Sequence, residues 1–319
     1  MLLLHCIVFL VGIVLTLKGA DWLTDGASAV ARRLRVSSLV IGLTVVAFGT
    51  SAPELAVSCL SAAHSQTEMA LGNVVGSNIF NLLAIMGVTA LVKPVVCSPG
   101  NIRYDVPFCL VASIVVTALA IDDLDRGDGI ALLCFLGVFV AYTLSIARKD
   151  EGGASQVADS RSSQAHPSTL RSALLILLGL ACLVVGGELF VRAATGIALA
   201  LGVSQSVIAL TIVAAGTSLP ELVTSAMAAA KGDTDMALGN VVGSCVLNLF
   251  LVLGAAACIS PLLLGNMKPV DFGTMLGAAV LVWLFCRFGD RTNRKINRWE
   301  GALLVLSAIA YYSALLIGS

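Results

Sequence analysis

LTVVAFGTSAPELAVS at 43–58 returns as LTIVAAGTSLPELVTS at 210–225, and MALGNVVGSNIFN at 69–81 returns as MALGNVVGSCVLN at 236–248. Both pairs lie 167 residues apart, with eleven of 16 and ten of 13 positions identical, so one polar unit occurs twice. Around these blocks the chain is apolar. Of 319 residues 58% are hydrophobic and 12% charged, and the mean hydropathy is +0.98. That balance belongs to a polytopic membrane protein rather than a soluble domain, and duplicated membrane halves are a common transporter architecture. The zero net charge points to no nucleic-acid partner.

Apolar runs at 3–28, 38–64, 68–92, 104–121 and 128–147, then at 172–195, 205–230, 236–262, 270–288 and 299–317, predict ten transmembrane helices. The first run lacks a basic leader and a cleavage motif and reads as a retained helix rather than a signal peptide. Between the halves, 148–171 is rich in Ser, Gly and charge and reads as a flexible cytoplasmic linker, with His166 solvated rather than a ligand. The expected organisation is a first repeat over 1–147 and a second over 172–319. Five spans per repeat is an odd number, so the second repeat enters the bilayer from the opposite side. The fold class is therefore an all-α polytopic membrane protein built from two inverted five-helix repeats.

Basic residues cluster at Arg32, Arg33 and Arg35, at Lys93 and Arg103, at Arg148 and Lys149, and at Arg287, Arg291, Arg294, Lys295 and Arg298. All fall on one side of the ten-span plot, opposite the acidic turn of Asp122, Asp123, Asp125 and Asp128. The positive-inside bias then places both termini outside the cytoplasm, in a multi-pass protein of the plasma (inner) membrane. Nine cysteines are scattered through apolar runs without metal-ligand spacing and read as small buried thiols.

Glu54 and Glu221 stand deep in their spans, where a carboxylate is costly unless compensated. No Lys or Arg is placed to pair with them, so bound cations are the expected compensation. Pro53 and Pro220 interrupt the same helices, predicting breaks in the second and seventh spans that release carbonyls of Ala47, Thr50, Ala214 and Thr217. Thr50 lies one turn before Glu54 and is expected to share its face. In the next span Asn73, Ser77 and Asn81 recur every four residues, as do Asn240, Ser244 and Asn248, giving one polar stripe per repeat. Neutral oxygens beside two carboxylates suit a hard ion, Ca²⁺ or Na⁺, and the absence of Cys and His ligands disfavours zinc or copper. Asn73 and Asn240 also have a packing reading, as interhelical hydrogen-bonding groups, and Gly72, Gly76, Gly239 and Gly243, four apart, are expected to let the polar helices approach closely.

These doubled GTSxPE and GNxxGSxxxN motifs resemble the repeats of the cation/Ca²⁺ exchanger superfamily, most closely its prokaryotic sodium/calcium exchangers. The resemblance covers nearly all spans. It implies spans 2, 3, 7 and 8 at the centre, with spans 1 and 6 as a sliding gate bundle. It implies Glu54, Glu221 and the main-chain oxygens of Thr50 and Thr217 as Ca²⁺ ligands. For Na⁺ it implies the same carboxylates with Ser51, Ser77 and Ala214 at one outer site, and Ala47, Ser218 and Ser244 at its mirror. Asn81 and Asn248 would face the middle. Asn248 stands where many exchangers carry Asp, which removes an acidic ligand and leaves the stoichiometry open.

The function expected is secondary-active Na⁺/Ca²⁺ antiport by alternating access. It needs no cofactor and no nucleotide, and the chain has no GK[ST] phosphate loop to suggest a pump or an enzyme. A Ca²⁺/H⁺ antiporter, a cation channel and a purely structural membrane protein are the competing readings. Oligomeric state stays open, and a monomer is compatible with every feature above.

Overall fold

The computed structural model describes residues 2–150, 169–202, 214–265, 267–289 and 294–317. Most of the linker and the first part of the seventh span lie outside these residues. The architecture is all helical apart from one short ladder. Among the described residues eight helices are long and apolar enough to cross a membrane, and a bent pair supplies another span. The spans are Leu2–Leu34, Ser38–Thr50 continued by Ala52–Ala63, Thr67–Val92, Asn101–Asp122 and Arg126–Ser145. The second half has Thr169–Ala200, the described part of the seventh span (Ala214–Gly216 and Leu219–Ala230), Thr234–Ile259, Pro269–Phe288 and Arg298–Ile317.

Burial separates the spans into centre and rim. The most apolar windows of the third and eighth spans are 72% and 78% buried, whereas those of the first and sixth are 17% and 22% buried. An apolar helix with that little protein cover must face lipid. The polar stripes therefore run through the two helices most completely enclosed by protein.

The first and sixth helices exceed their expected limits, at 33 and 32 residues. Arg32 and Arg33, expected in a loop, form the last turn of the first helix, where cations complement the helix dipole. These two long helices pack along each other. Gly19 shows why: a Cβ there would stand 2.7 Å from the Gly179 carbonyl oxygen and 2.7 Å from the Leu183 nitrogen. Gly12 and Gly26, each seven residues from Gly19, meet the partner backbone in the same way. Only glycine permits such contact, and the heptad spacing keeps it on one seam.

The connections sort onto two ends as the ten-span plot requires. At one end Val95–Val96 pairs antiparallel with Lys295–Ile296, Lys93 Nζ reaches Gly232, and Lys231 pairs with Asp21 and Asp25 of the first helix at 2.7 Å each. At the other end Leu124 bridges Leu262, and Asp123 Oδ1 accepts from the Leu264 N–H at 2.7 Å. The turns at 93–96, 231–232 and 294–296 thus share the end opposite the acidic turn.

Candidate functional site

The second span bends by 46° between Thr50 and Ala52. Ser51 takes φ −83°, ψ 4°, and a new helix starts at Ala52 with Pro53 in its first turn, where a missing N–H costs nothing. Two bonds carry the ladder across the break, Ser51 N–H to the Ala47 carbonyl at 2.9 Å and Leu55 N–H to the Ser51 carbonyl at 3.1 Å. The seventh span repeats the arrangement, with Ser218 at φ −88°, ψ 9° and Pro220 in the first turn of Leu219–Ala230. Each break puts a glutamate, Glu54 or Glu221, in the first turn of the resumed helix, at the positive end of its dipole.

Serines at such N-cap positions ordinarily accept from their own helix. Neither does so here. Ser51 Oγ instead donates to Glu221 Oε1 at 3.0 Å, and Ser218 Oγ donates to Glu54 Oε1 at 3.0 Å. Thr50 lies beside Glu221 and Thr217 beside Glu54. Each half thus supplies the hydroxyls for the other half's carboxylate, and both glutamates are 0% exposed. The shared face expected for Thr50 and Glu54 does not form, because the bend between them turns Thr50 toward the opposite half. Ser51 is drawn toward Ala47 and Glu221, and Ser218 toward Glu54, so the two serines are exchanged relative to the outer groups that the resemblance implied.

The asparagine stripes split into two roles. Asn240 Nδ2 donates to Ser225 Oγ at 2.9 Å and to the Glu221 carbonyl at 3.4 Å, while Thr50 Oγ1 donates to Asn240 Oδ1 at 3.2 Å. Asn73 Nδ2 donates to Ser58 Oγ at 3.0 Å. These two asparagines fasten each stripe to the broken helix before it, which is the packing reading. Ser58 and Ser225 were not expected as their partners, although both stand at equivalent positions of the duplicated block. Asn81 and Asn248 are spent differently. Each lies in a π-turn, Phe80–Ile85 or Asn248–Val252, at the same place in both repeats. The first of these turns packs on Leu219–Ala230 and the second on Ala52–Ala63, the helices that carry Glu221 and Glu54. Cys245 faces Cys109 of the fourth span and Asn81.

Buried polar atoms are almost always paired. Here Glu54 Oε2, Glu221 Oε2, Ser244 Oγ and both polar atoms of Asn81 and Asn248 are buried without a hydrogen bond. Ser77, one turn before Asn81, is also buried. Among the described residues no Lys, Arg or His bonds or pairs with either glutamate, and no group of three His, Cys, Asp or Glu forms a metal cluster. Two carboxylates among neutral oxygens, enclosed by protein, fit a hard cation as cargo.

The halves are not equivalent around this core. Gly239 and Gly243 press on the backbone of residues 39–43, as the close-approach expectation requires, and Thr50 and Asn240 are buried. Their counterparts differ: Thr217 and Asn73 are half-buried, a Cβ at Gly76 would meet nothing within 4 Å, and one at Gly72 would meet only Met267 Sδ at 3.7 Å. Ala214 begins the described part of its span, next to residues outside it.

A profile of the sodium/calcium exchanger protein family matches residues 4–145 and 171–317. The sodium/calcium exchanger MaX1 of Methanosarcina acetivorans is 32% identical over 98% of both chains, and the inner membrane protein YrbG of Escherichia coli K12 is 34% identical over 98% of this chain and 97% of its own. The solved structure of the sodium-calcium exchanger NCX_Mj, soaked with zero Na⁺ and Ca²⁺, superposes with a TM-score of 0.86 at 32% identity, covering 99% of this chain and all of that one. With the profile over both halves and relatives matched along their whole length, the chain belongs to the sodium/calcium exchanger protein family.

Proposed function

We propose that this protein is a secondary-active antiporter that exchanges Na⁺ for Ca²⁺ by alternating access, with Glu54 and Glu221 forming the cation site. The observation that carries the reading is the reciprocal pair, Ser51 to Glu221 and Ser218 to Glu54, each leaving one carboxylate oxygen buried and unbonded. Solved structures of NCX_Mj soaked with Na⁺ together with Ca²⁺ or Sr²⁺ match this chain with TM-scores of 0.84 and 0.85, which supports the same ions as cargo here.

Ca²⁺ takes both carboxylates with the main-chain oxygens of Thr50 and Thr217. Na⁺ competes for the same carboxylates, helped by oxygens of Ala47, Ser51, Ser77, Ala214, Ser218 and Ser244, while Asn81 and Asn248 supply neutral amide oxygens in the middle. Because both ions need Glu54 and Glu221, one must leave before the other binds, and that competition is the coupling. No covalent intermediate or nucleotide is needed, so the protein acts as a transporter rather than an enzyme. Each five-helix half, joined by the cytoplasmic linker 148–171, is the moving unit. The side that bears the basic turns is cytoplasmic, and both termini lie outside the cytoplasm of a plasma (inner) membrane. A single copy holds the whole site.

The test is radioactive Ca²⁺ uptake into proteoliposomes loaded with Na⁺ and diluted into Na⁺-free buffer, with choline-loaded vesicles and an imposed pH gradient as controls. Uptake that needs internal Na⁺ and survives collapse of the pH gradient is the expected result. Uptake driven by the pH gradient without Na⁺ refutes Na⁺ coupling in favour of Ca²⁺/H⁺ exchange, and uptake needing no counter-ion refutes antiport in favour of a channel.

A further inference from the structure

Far along the chain from the glutamates, a cavity of about 300 Å³ is lined by Pro99, Ile102, Arg103, Trp283, Arg287 and Arg294. Its three arginines come from different places. Arg103 stands in the first turn of the fourth span, Arg287 in the last turn of the ninth, and Arg294 beside the two-stranded ladder, its carbonyl accepting from the Cys97 N–H at 2.7 Å. Arg294 holds a left-handed backbone at φ 48°, an unusual conformation for a side-chain-bearing residue. Trp283 Nε1 donates to the Ile102 carbonyl at 3.3 Å and ties the fourth and ninth spans together beneath the arginines.

All three arginines are exposed, and none forms a salt bridge with a described residue. No acidic side chain among the described residues lines the cavity. Three guanidinium groups converging on one concavity repel one another unless an anion joins them, and their planar forks suit a phosphate. The level in the membrane is set by the span ends and by neighbouring aromatics. Tyr104 is 47% exposed and Phe288 55% exposed, with the Arg103 and Arg287 guanidiniums 5.4 and 5.1 Å from their ring centres. Exposed aromatics at span ends mark the boundary between hydrocarbon and water.

We propose that this cavity binds the phosphate headgroup of an anionic membrane phospholipid, with Arg103, Arg287 and Arg294 on the phosphate and Pro99, Ile102 and Trp283 against the glycerol and upper acyl chain. A soluble phosphate has no use for that apolar wall, whereas a lipid brings both parts. Basic residues at a membrane surface attract anionic lipid by about fivefold in affinity each, so three give about a hundredfold preference over a zwitterionic lipid.

Native mass spectrometry of the purified protein in neutral detergent, titrated with phosphatidylglycerol or phosphatidylcholine, tests this without reference to transport. Wild type should retain phosphatidylglycerol about a hundredfold more tightly, and R103Q/R287Q/R294Q should lose the preference. R32Q/R33Q/R35Q removes as many exposed arginines from the turn after the first span and should keep it. Equal loss in both triples, or no preference in wild type, overturns the proposal. Inorganic phosphate in excess should fail to displace the lipid, and full displacement reassigns the cavity to a soluble anion. Should the pocket triple fail to fold, Arg294→Gln alone decides, with about a fivefold loss expected and an unchanged preference refuting the site.

Discussion

The reciprocal hydroxyls make a quantitative claim. Ser51→Ala and Ser218→Ala each remove one O–H donor, at 3.0 Å, from a fully buried carboxylate. With its proton committed to that carboxylate, each hydroxyl turns its lone pairs toward the space beside the free carboxylate oxygen. That orientation makes it a neutral ligand for Na⁺. Hydrogen bonds to charged groups contribute about 1.5–3 kcal/mol. At 3.0 Å these bonds are longer than the best O–H···O⁻ contacts, so the lower figure applies, about tenfold in affinity per serine. Ca²⁺, held by carboxylates and main-chain oxygens, should lose less. The assay has two arms in proteoliposomes, the Na⁺ concentration that half-activates Ca²⁺ uptake and the Ca²⁺ dependence of Ca²⁺/Ca²⁺ exchange without Na⁺. Both variants should weaken the first by about tenfold and the second by less than about threefold. The two should also agree, because the two bonds are equally long. A Na⁺ response within about twofold of wild type, or equal losses in both arms, refutes the assignment.

Glu54→Gln and Glu221→Gln keep the shape and the acceptor for the opposite serine but remove a charge, so each should abolish exchange while the protein still reaches the membrane; transport by the purified variants at near-normal rates sinks the site. Asn248→Asp adds a third carboxylate to the buried core. Ca²⁺ uptake should then acquire a proton-competition limb on acidification that the amide cannot give, seen as a pH profile steeper than wild type, and superimposable profiles refute the central position of Asn248. Gly19→Ala forces a Cβ onto the Gly179 and Leu183 backbone, which no rotamer change relieves. It should cost about 1–3 kcal/mol in a melting series on purified protein. Gly137→Ala, with nothing within 4 Å, is the control and should match or exceed wild type.

Much of this was legible in the residues because membrane physics leaves few options. A proline six residues into an apolar block, followed by a glutamate without a basic partner, requires both a broken helix and a compensated charge. The 167-residue offset then doubles every inference. The offset says which positions are equivalent, however, and not which positions touch. The pairing of Ser51 with Glu221 arises when two inverted halves meet, and no local pattern encodes it. The π-turns at Asn81 and Asn248 were hidden for another reason. Asparagines spaced by four look like an uninterrupted α-helix, and the wider turn begins only at the last of them. The seam between the first and sixth helices was readable and went unread: Gly12, Gly19 and Gly26 recur every seven residues, as do Gly179 and Gly186. The four-residue glycine spacing of the eighth span drew attention away from it.

The way the carboxylates are supported bears on why an exchanger of this build should not leak. Glu54 and Glu221 are both fully buried, and no cationic side chain among the described residues pairs with either. The effective penalty for a buried uncompensated ion is several kcal/mol. The protein's own offset is the positive end of each resumed helix and one reciprocal hydroxyl per carboxylate, worth about 1.5 kcal/mol at the distance observed. These terms leave a deficit that a bound cation fills. Each hydroxyl also comes from the opposite half, so sliding one half past the other breaks both supports together. Without cargo that motion exposes two unsupported charges to a low dielectric; with cargo the ion holds both carboxylates throughout. Loaded and unloaded carriers therefore face different barriers, and the difference comes from having placed Ser51 and Ser218 across the interface instead of on the helices they begin.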